Sequence, residues 1–347
     1  MLKTFLSVNF GCRVNSAETN QWSQILIDQG YLPTNSNPDL ILINTCSITK
    51  KGEKESLNKV KNLHQKYPQA KIYVTGCANF EKVKNIPNIL IYKNDQKEKI
   101  LNNLKSSYSP DIKDKFSNTN RFLLKIQSGC TQFCSYCIVP FKRPILWSLK
   151  IEDAVTTIKK AVADGYKEII ITGVNIDEYQ YNFSNLIKSL LDQTDIKLIS
   201  FGSIPINCIN QDFINLFKKY PNRLSHFIHI PIQSGSDKIL KLMNRPYTKK
   251  DILNKFGNLS LEIGNLKFGT DIIVGFPTES DQDFQETLNL CQKIGFNKIH
   301  VFKYSPRPNT KARIIFENSP KISKEILKIR SQTISQSKLP SHQTPEN

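Results

Sequence analysis

The stretch Phe122–Cys137, FLLKIQSGCTQFCSYC, decides how the chain is read. An apolar run over Phe122–Gln127 predicts a strand. Directly after it come Cys130, Cys134 and Cys137, in C-x3-C-x2-C spacing. A loop of that spacing can wrap three thiolates around one face of a cubane cluster. Iron–sulfur clusters are held by cysteine thiolates, and a [4Fe–4S] cluster normally takes four. Three ligands leave one iron with an open position, by the logic that separates catalytic from structural zinc sites. Zinc is the plainer alternative, but no fourth Cys or His follows at the usual finger spacing. Tyr136, the residue before the last cysteine, is aromatic.

Outward from this loop, strand-like and helix-like segments alternate. Strands are expected near Phe122–Gln127, Glu168–Thr172, Lys197–Ser200, His226–His229, Lys267–Val274 and Lys298–Phe302. Helices are expected near Ile151–Asp164, Ser184–Gln193, Gln211–Lys218, Asp237–Met243, Lys249–Ile263 and Ser280–Ile294. Six βα units are too few for an eight-fold barrel, so an open, partial barrel is expected. Upstream, strands are expected at Thr4–Asn9, Asp39–Asn44, Lys71–Thr75 and Asn88–Tyr92. The helices there are Ser16–Gln29, opening on a Ser cap and stopping before Gly30, then Ser47–Tyr67 and Gln96–Leu104. Such alternation implies a parallel sheet covered on both faces.

The polar stretch Ser106–Asn120 holds a proline and marks the linker. The expected organisation is therefore residues 1–107 as an N-terminal Rossmann-like parallel α/β domain and 108–120 as linker. Residues 121–330 form the partial (βα)6 barrel, and 331–347 a polar, frayed tail. No internal repeat appears beyond the βα alternation.

Composition excludes several classes. With 39% hydrophobic and 10% aromatic residues, the 347-residue chain can bury sizeable cores, so global disorder is not expected. The longest apolar runs, Leu40–Ile43 and Ile169–Ile171, are far short of the ~20 residues a spanning helix needs. The N-terminus MLKTFLSVNFGCRVN lacks the apolar stretch and cleavage site of a signal peptide. Cytoplasmic localisation is expected, and there eight cysteines read as metal or redox ligands before disulfides. The net charge is +18, from 48 Lys+Arg against 30 Asp+Glu. Forty of the 48 cations are lysine, and there are 32 asparagines. A base-composition bias and a polyanionic partner such as RNA both account for this.

A second cysteine set is dispersed. Cys12, Cys46 and Cys77 each end an expected strand, in SVNFGC, LILINTC and KIYVTGC. Loops at the carboxyl ends of parallel strands lie on one sheet edge, where ligands bind. Three thiols 34 and 31 residues apart can thus converge. Buried structural thiols would lie inside strands rather than just beyond them. Three ligands again imply a [4Fe–4S] cluster with an open iron. Cys208 and Cys291 join neither set and are read as small apolar side chains, Cys291 on a buried helix face.

C-x3-C-x-aromatic-C after the first strand of a partial βα barrel resembles the radical S-adenosylmethionine superfamily. In that superfamily the open iron chelates S-adenosylmethionine, whose reductive cleavage yields a 5′-deoxyadenosyl radical. Two three-cysteine sets in this order resemble the methylthiotransferases within it. The resemblance covers about residues 3–330. It rests on Gly11-Cys12 with Asn15, Asn44-Thr45-Cys46, Gly76-Cys77 and CTQFCSYCIVP from Cys130 to Pro140. It continues with Thr172-Gly173-Val174-Asn175, His229–Arg245, Asp271–Pro277 and Tyr304–Arg307. GCRVNSAE, NTCSIT and KIHVFKYSPR resemble the branch that modifies threonylcarbamoyladenosine in tRNA, rather than the isopentenyladenosine or ribosomal-protein branches.

The chain departs from the family pattern at several places. The family's Arg-Gly reads Arg143-Pro144, and a later Arg is Leu149. Ser203-Ile204-Pro205 lacks the family's Glu, and Thr278 stands where a Gly is usual. About 40 residues follow Tyr304–Arg307, too few for the RNA-binding TRAM domain that many members carry, so none is expected. The basic stretch Lys303–Lys338, with nine Lys/Arg and two Glu, would then carry more of the RNA affinity.

The resemblance implies a mechanism. The cluster on Cys130, Cys134 and Cys137 cleaves S-adenosylmethionine, and the radical abstracts hydrogen from C2 of the modified adenine beside the anticodon. The cluster on Cys12, Cys46 and Cys77 supplies the methylated sulfur. Reaching C2 needs an unstacked base of the tRNA anticodon loop. The cofactors implied are two [4Fe–4S] clusters and S-adenosylmethionine. The partners are tRNA and a flavodoxin- or ferredoxin-like electron donor, the chain acting as a monomer away from any membrane. Expected cofactor contacts are Tyr136, Gly173, Asn175, Ser203, Gln233, Ser234 and Ile273, with Val174, Val274 and Gly275 beside them. Lys142 and Arg143 are read as pairing with a carboxylate or phosphate, or as solvated. His229 is read as a satisfied core histidine. The rival from another class is a non-catalytic RNA-binding iron–sulfur protein.

Overall fold

The structure is a computed structural model that describes residues 3–97, 99–100 and 121–337. Within them the chain is α/β, as expected. The linker at 108–120 and the end of the polar tail lie outside the described residues, as does most of the helix expected at Gln96–Leu104. The residues form two compact units. One comprises 1–131, 138–174 and 189–197; the other comprises 132–137, 175–188 and 198–347.

In the first unit, β1 (Thr4–Asn9), β2 (Leu32–Pro33), β3 (Leu40–Thr45), β4 (Lys71–Gly76) and β5 (Ile89–Ile91) form one parallel sheet in the order β2-β1-β3-β4-β5. The reason β3 reads LILINT, apolar without alternation, is that helices cover both faces. Ile41 and Ile43 pack with Leu57, Val60 and Leu63 of α2 (Lys50–Lys66). Leu40 and Leu42 pack with Trp22 and Leu26 of α1 (Arg13–Asp28) on the other face. The unit continues with β6 (Arg121–Ser128), which pairs parallel with β8 (Glu168–Gly173) and antiparallel with the short β7 (Trp147–Ser148). The helical turn α3 (Val139–Lys142) and helix α4 (Ile151–Ala163) lie between these strands in sequence. Helix α5 (Phe183–Gln193) follows β8.

The second unit carries β9 (Leu198–Phe201), α6 (Gln211–Lys219), β10 (Phe227–His229), α7 (Asp237–Leu242) and α8 (Lys249–Ile263). Then come β11 (Lys267–Val274), α9 (Asp281–Ile294), β12 (Lys298–Lys303), α10 (Lys311–Glu317) and α11 (Lys324–Gln336). Strands β10, β11 and β12 form a parallel sheet. All six strands expected after Arg121 are present. Phe268, the second residue of β11, packs on Phe256 of α8, which also meets Phe296.

Three expectations are corrected. Helix α1 begins at Arg13, with Cys12 as its N-cap and no side-chain cap, so Ser16 is inside the first turn. Its hydroxyl accepts from Asn9 Nδ2 at 2.7 Å instead. Helix α2 begins at Lys50 because Thr49, not Ser47, caps it, accepting from Gly52 N. At the other end, α11 runs through Gln336 with Ile334 fully buried, past the Ser331 boundary drawn for a polar tail. None of the described helices is long and apolar enough to cross a membrane.

Candidate functional site

Strands β1, β3 and β4 are neighbours, and the chain leaves each at the same sheet edge. Cys12 follows β1 by three residues, and Cys46 and Cys77 follow β3 and β4 directly. All are free thiols. A Cβ on Gly11 would lie 2.8 Å from Cys46 Sγ, so that sulfur rests against the bare backbone before Cys12. Burial pushes the Cys46 thiol up, and the neighbouring Cys77 and Cys12 thiols add to the shift. Cys46 thus lies within electrostatic reach of both other thiols. A shift upward disfavours the bare thiolate, and a bound metal's positive charge reverses that preference. Asn94 Nδ2 lies 3.5 Å from Cys77 Sγ. Gly76 takes φ +107, and a Cβ there would lie 2.3 Å from Thr45 O, so only glycine can deliver Cys77 to this position. Three soft thiols on adjacent strand ends, with backbone room beside them, fit an iron–sulfur group.

Next to these loops lies a buried charge network. Arg143 grips Glu18 with both arms, Nη1 to Oε1 at 2.9 Å and Nη2 to Oε2 at 3.0 Å. Lys97 donates to Glu18 Oε2, and Lys125 approaches Oε1 at 3.3 Å. Arg143 also donates to Asn15 Oδ1 at 2.7 Å, and Asn15 Nδ2 in turn holds the carbonyls of Phe10 and Thr45 beside Cys12 and Cys46. Burial alone would raise the Glu18 pKa. Lys97, Arg143 and Lys125 outweigh it and hold the carboxyl well below the usual range. Burial also lowers Lys97 to about 8, against the opposing pull of Glu18. One carboxylate stands against three cations, so the network keeps a net positive charge beside these loops. Arg143 therefore pairs with a protein carboxylate.

The second set begins in the same unit. Gly129 (φ +91) precedes Cys130, and a Cβ there would lie 2.2 Å from Ile145 O. Gln127 Nε2 holds the Gly129 carbonyl at 2.8 Å, and Cys130 N donates to Arg143 O at 3.1 Å. Cys134 and Cys137 belong to the second unit. There Cys137 N donates to Cys134 O at 2.9 Å, and Ser135 N to Met243 O at 3.0 Å. Arg245 Nη1 donates to Cys134 Sγ at 3.3 Å, while its guanidinium stacks on the Tyr247 ring at 4.9 Å. Tyr136 packs with Ile239, Met243, Ile273 and Phe276. Burial first, and then the Cys134 and Cys137 sulfurs, push its hydroxyl well above the ordinary range, against the opposing Arg245 charge.

Of the other expected contacts, Tyr136 and Ile273 share that apolar cluster. Gln233, at φ +72, is threaded into the edge of β11, its N–H on Asp271 O and its carbonyl receiving Ile273 N–H. Ser203 bridges to His229. Gly173 ends β8, and the buried Asn175 begins the turn Ile176–Glu178. Ser234 is 1% exposed, with its hydroxyl at Thr287 Oγ1 and receiving Ser236 N–H, so it serves the local turn. Gly275 meets Leu327 of α11 and donates to Glu279. Cys208 lies against Asp177 and is pushed up to about 12 by burial; Cys291 is fully buried. His229 is buried as expected, but it joins Asp271 and His300.

Sequence reasoning missed Arg245 at Cys134 and the Glu18–Lys97–Lys125 group around Arg143. A signal was available. In a chain with five lysines per arginine, an arginine marks a place where a planar, five-donor fork is needed. Arg143, Arg307 and Arg330 are each at most 5% exposed.

Residues 4–92 match the Uncharacterized protein family UPF0004, and residues 124–291 the Radical SAM superfamily. The threonylcarbamoyladenosine tRNA methylthiotransferase of Thermotoga maritima is 31% identical, over 96% of this chain and 83% of that protein. The tRNA-2-methylthio-N(6)-dimethylallyladenosine synthase of Endomicrobium trichonymphae is 35% identical, over 91% and 80%. In fold, the chain is similar to the radical S-adenosylmethionine methyltransferase of Kitasatospora setae, with TM-score 0.62 over 90% of this chain and 77% of that one at 12% identity. With both matched families in chain order, and each cysteine set at the carboxyl ends of their strands, the chain belongs to the methylthiotransferase family of radical S-adenosylmethionine enzymes.

Proposed function

We propose that the protein adds a methylthio group to C2 of N6-threonylcarbamoyladenosine at position 37 of tRNA, using two [4Fe–4S] clusters and S-adenosylmethionine. The observation that carries this reading is the pairing of two separate three-thiol sets in one chain, each delivered by glycine-shaped turns at strand ends. When bound, the clusters and S-adenosylmethionine supply the radical and the sulfur. Cys130, Cys134 and Cys137 would hold one cluster, and Cys12, Cys46 and Cys77 the other. Arg245 lends positive charge to the Cys134 sulfur. Tyr136 and Ile273 provide an apolar wall that keeps water from a reactive intermediate. Asn15 and Arg143 hold the Cys12 and Cys46 loops in place.

Exposed Lys311, Arg313, Lys321, Lys324 and Lys328 offer a basic surface for tRNA. Arg330 does not add to it, being spent on Glu279 and Asp281. A domain division at 1–107, 108–120 and 121–330 accords with the two matched segments. The runner-up substrate is N6-isopentenyladenosine, because relatives named for each substrate stand at similar identity. GCRVN and HVFKYSPR favour the threonylcarbamoyl form. Mass spectrometry of tRNA nucleosides from cells lacking the gene tests this. Loss of the 2-methylthio form of threonylcarbamoyladenosine is expected, and loss of the isopentenyl form instead would reverse the assignment.

A further inference from the structure

Three ligand-type side chains meet away from both cysteine sets, in the sheet of the second unit. His229 stands on β10, Asp271 on β11 and His300 on β12. The parallel register aligns Asp271 with His300 and His229 with Gly269, two residues before Asp271. All three side chains therefore rise on one face of three neighbouring strands. His229 Nε2 lies 2.9 Å and His300 Nδ1 3.1 Å from the same oxygen, Asp271 Oδ1. The two rings are 5.1 Å apart between centroids. One ligand atom from each residue lies within 4.8 Å of the others, the one such trio among the described residues.

The surroundings favour a ligand role over a core hydrogen bond. A Cβ on Gly269 would lie 2.7 Å from His229 Nδ1, so the strand leaves out a side chain where the ring sits. Among the described residues no lysine or arginine pairs with Asp271; its side-chain partners are the two histidines. The trio is graded from buried His229 through partly buried Asp271 to His300, whose side chain is 46% exposed, so solvent reaches it from one side. Two imidazoles and one carboxylate on one face leave further coordination positions open. That donor set suits a borderline first-row cation rather than Mg or Ca.

We propose that His229, Asp271 and His300 form a three-ligand site for a divalent first-row cation, Fe(II) or Zn(II). In the metal-free form each ring donates an N–H to Oδ1. On binding, each ring carries its proton on the other nitrogen, and Nε2 of His229, Nδ1 of His300 and Oδ1 of Asp271 turn to the metal. The missing Cβ at Gly269 leaves room for the proton on His229 Nδ1. The bound ion ties three strands together and presents a Lewis-acidic centre with open positions for an oxygen donor.

Zinc is the probe. Cluster-loaded protein is equilibrated anaerobically with one equivalent of Zn(II), desalted, and its zinc and iron counted per chain. Wild type is expected to retain about one zinc. His300→Ala and the near-isosteric Asp271→Asn are expected to bind it at least ~10-fold more weakly, since even outer-shell losses cost that much. Failure of wild type to retain zinc, or equal zinc in the variants, overturns the proposal; the latter would place zinc on thiols such as Cys208. The count does not depend on methylthio transfer, so failure of the enzymatic reading leaves this result standing.

Discussion

The two cysteine sets solve one problem in opposite ways. Cys130, Cys134 and Cys137 sit within eight consecutive residues, and much of their spacing is set by one loop. Cys12, Cys46 and Cys77 come from three strand ends and reach one sheet edge only once the sheet is formed. Their supports differ accordingly. Cys134 has one arginine at 3.3 Å, from the turn after α7. The dispersed set is backed by Asn15, Glu18, Lys97, Lys125 and Arg143, which span most of the first unit's sequence. A compact site can be written locally, whereas a dispersed one is only as good as the sheet that assembles it.

The largest expected effect splits the two sets by chemistry. Cys130→Ala should abolish formation of 5′-deoxyadenosine under reducing conditions. Cys46→Ala should leave that cleavage intact but yield no methylthiolated tRNA. If Cys46→Ala also removed cleavage, the two sets would not be functionally separable.

Next in size is the charge network. Glu18→Ala leaves the buried Lys97 and Arg143 and the half-buried Lys125 without their carboxylate and should cost about 3–5 kcal/mol in denaturant unfolding. Iron should be lost preferentially from the dispersed set, as counted after reconstitution. The sign with pH follows from the lowered Glu18 pKa. Its contribution is fully present above the unfolded carboxyl value and is lost as pH falls through the lower folded value. Glu18→Gln should therefore flatten the acid limb of a stability–pH curve; an unchanged limb would assign it to other carboxylates.

Glycine turns give the third contrast. Gly76→Ala and Gly129→Ala each force a side chain into the left-handed region and onto a carbonyl. Each should cost roughly 2–3 kcal/mol or more. Gly76→Ala should lower iron bound by the dispersed set alone, and Gly129→Ala iron bound by the compact one. Equal losses from both sets in either variant would make the damage global.

The smallest effect is electronic. Arg245→Lys keeps the charge but loses the fork and the stacking on Tyr247. Cluster content should stay unchanged while its reduction potential shifts to more negative values, because a hydrogen bond to sulfur is weakened. A redox titration followed by EPR reads this. An unmoved potential would make Arg245 a packing residue.

The legibility of the sequence follows the same division. The six strands expected after Arg121 could be read because β-runs are local signals, whereas the two-residue strands β2 and β7 carry too short a run to show. The Ser cap signal sets the start of helix α1 three residues late, because Cys12 caps it through backbone geometry without a side-chain hydrogen bond. The Glu18 network was invisible because its lysines, Lys97 and Lys125, are two among forty and sit on separate elements. His229 read as a core histidine; Asp271 and His300, its partners, are 42 and 71 residues away and join it only through strand register.

The bare backbone before Cys77 and Cys130 bears on how related sequences should be interpreted. In the genetic code a glycine codon becomes an alanine codon by one base change. Either site can thus be lost by a single substitution that leaves all six cysteines in place. A cysteine count over-reports working centres in such chains. The residue preceding the thiol has to be read along with it, and a glycine there is as much a mark of a retained centre as the sulfur itself.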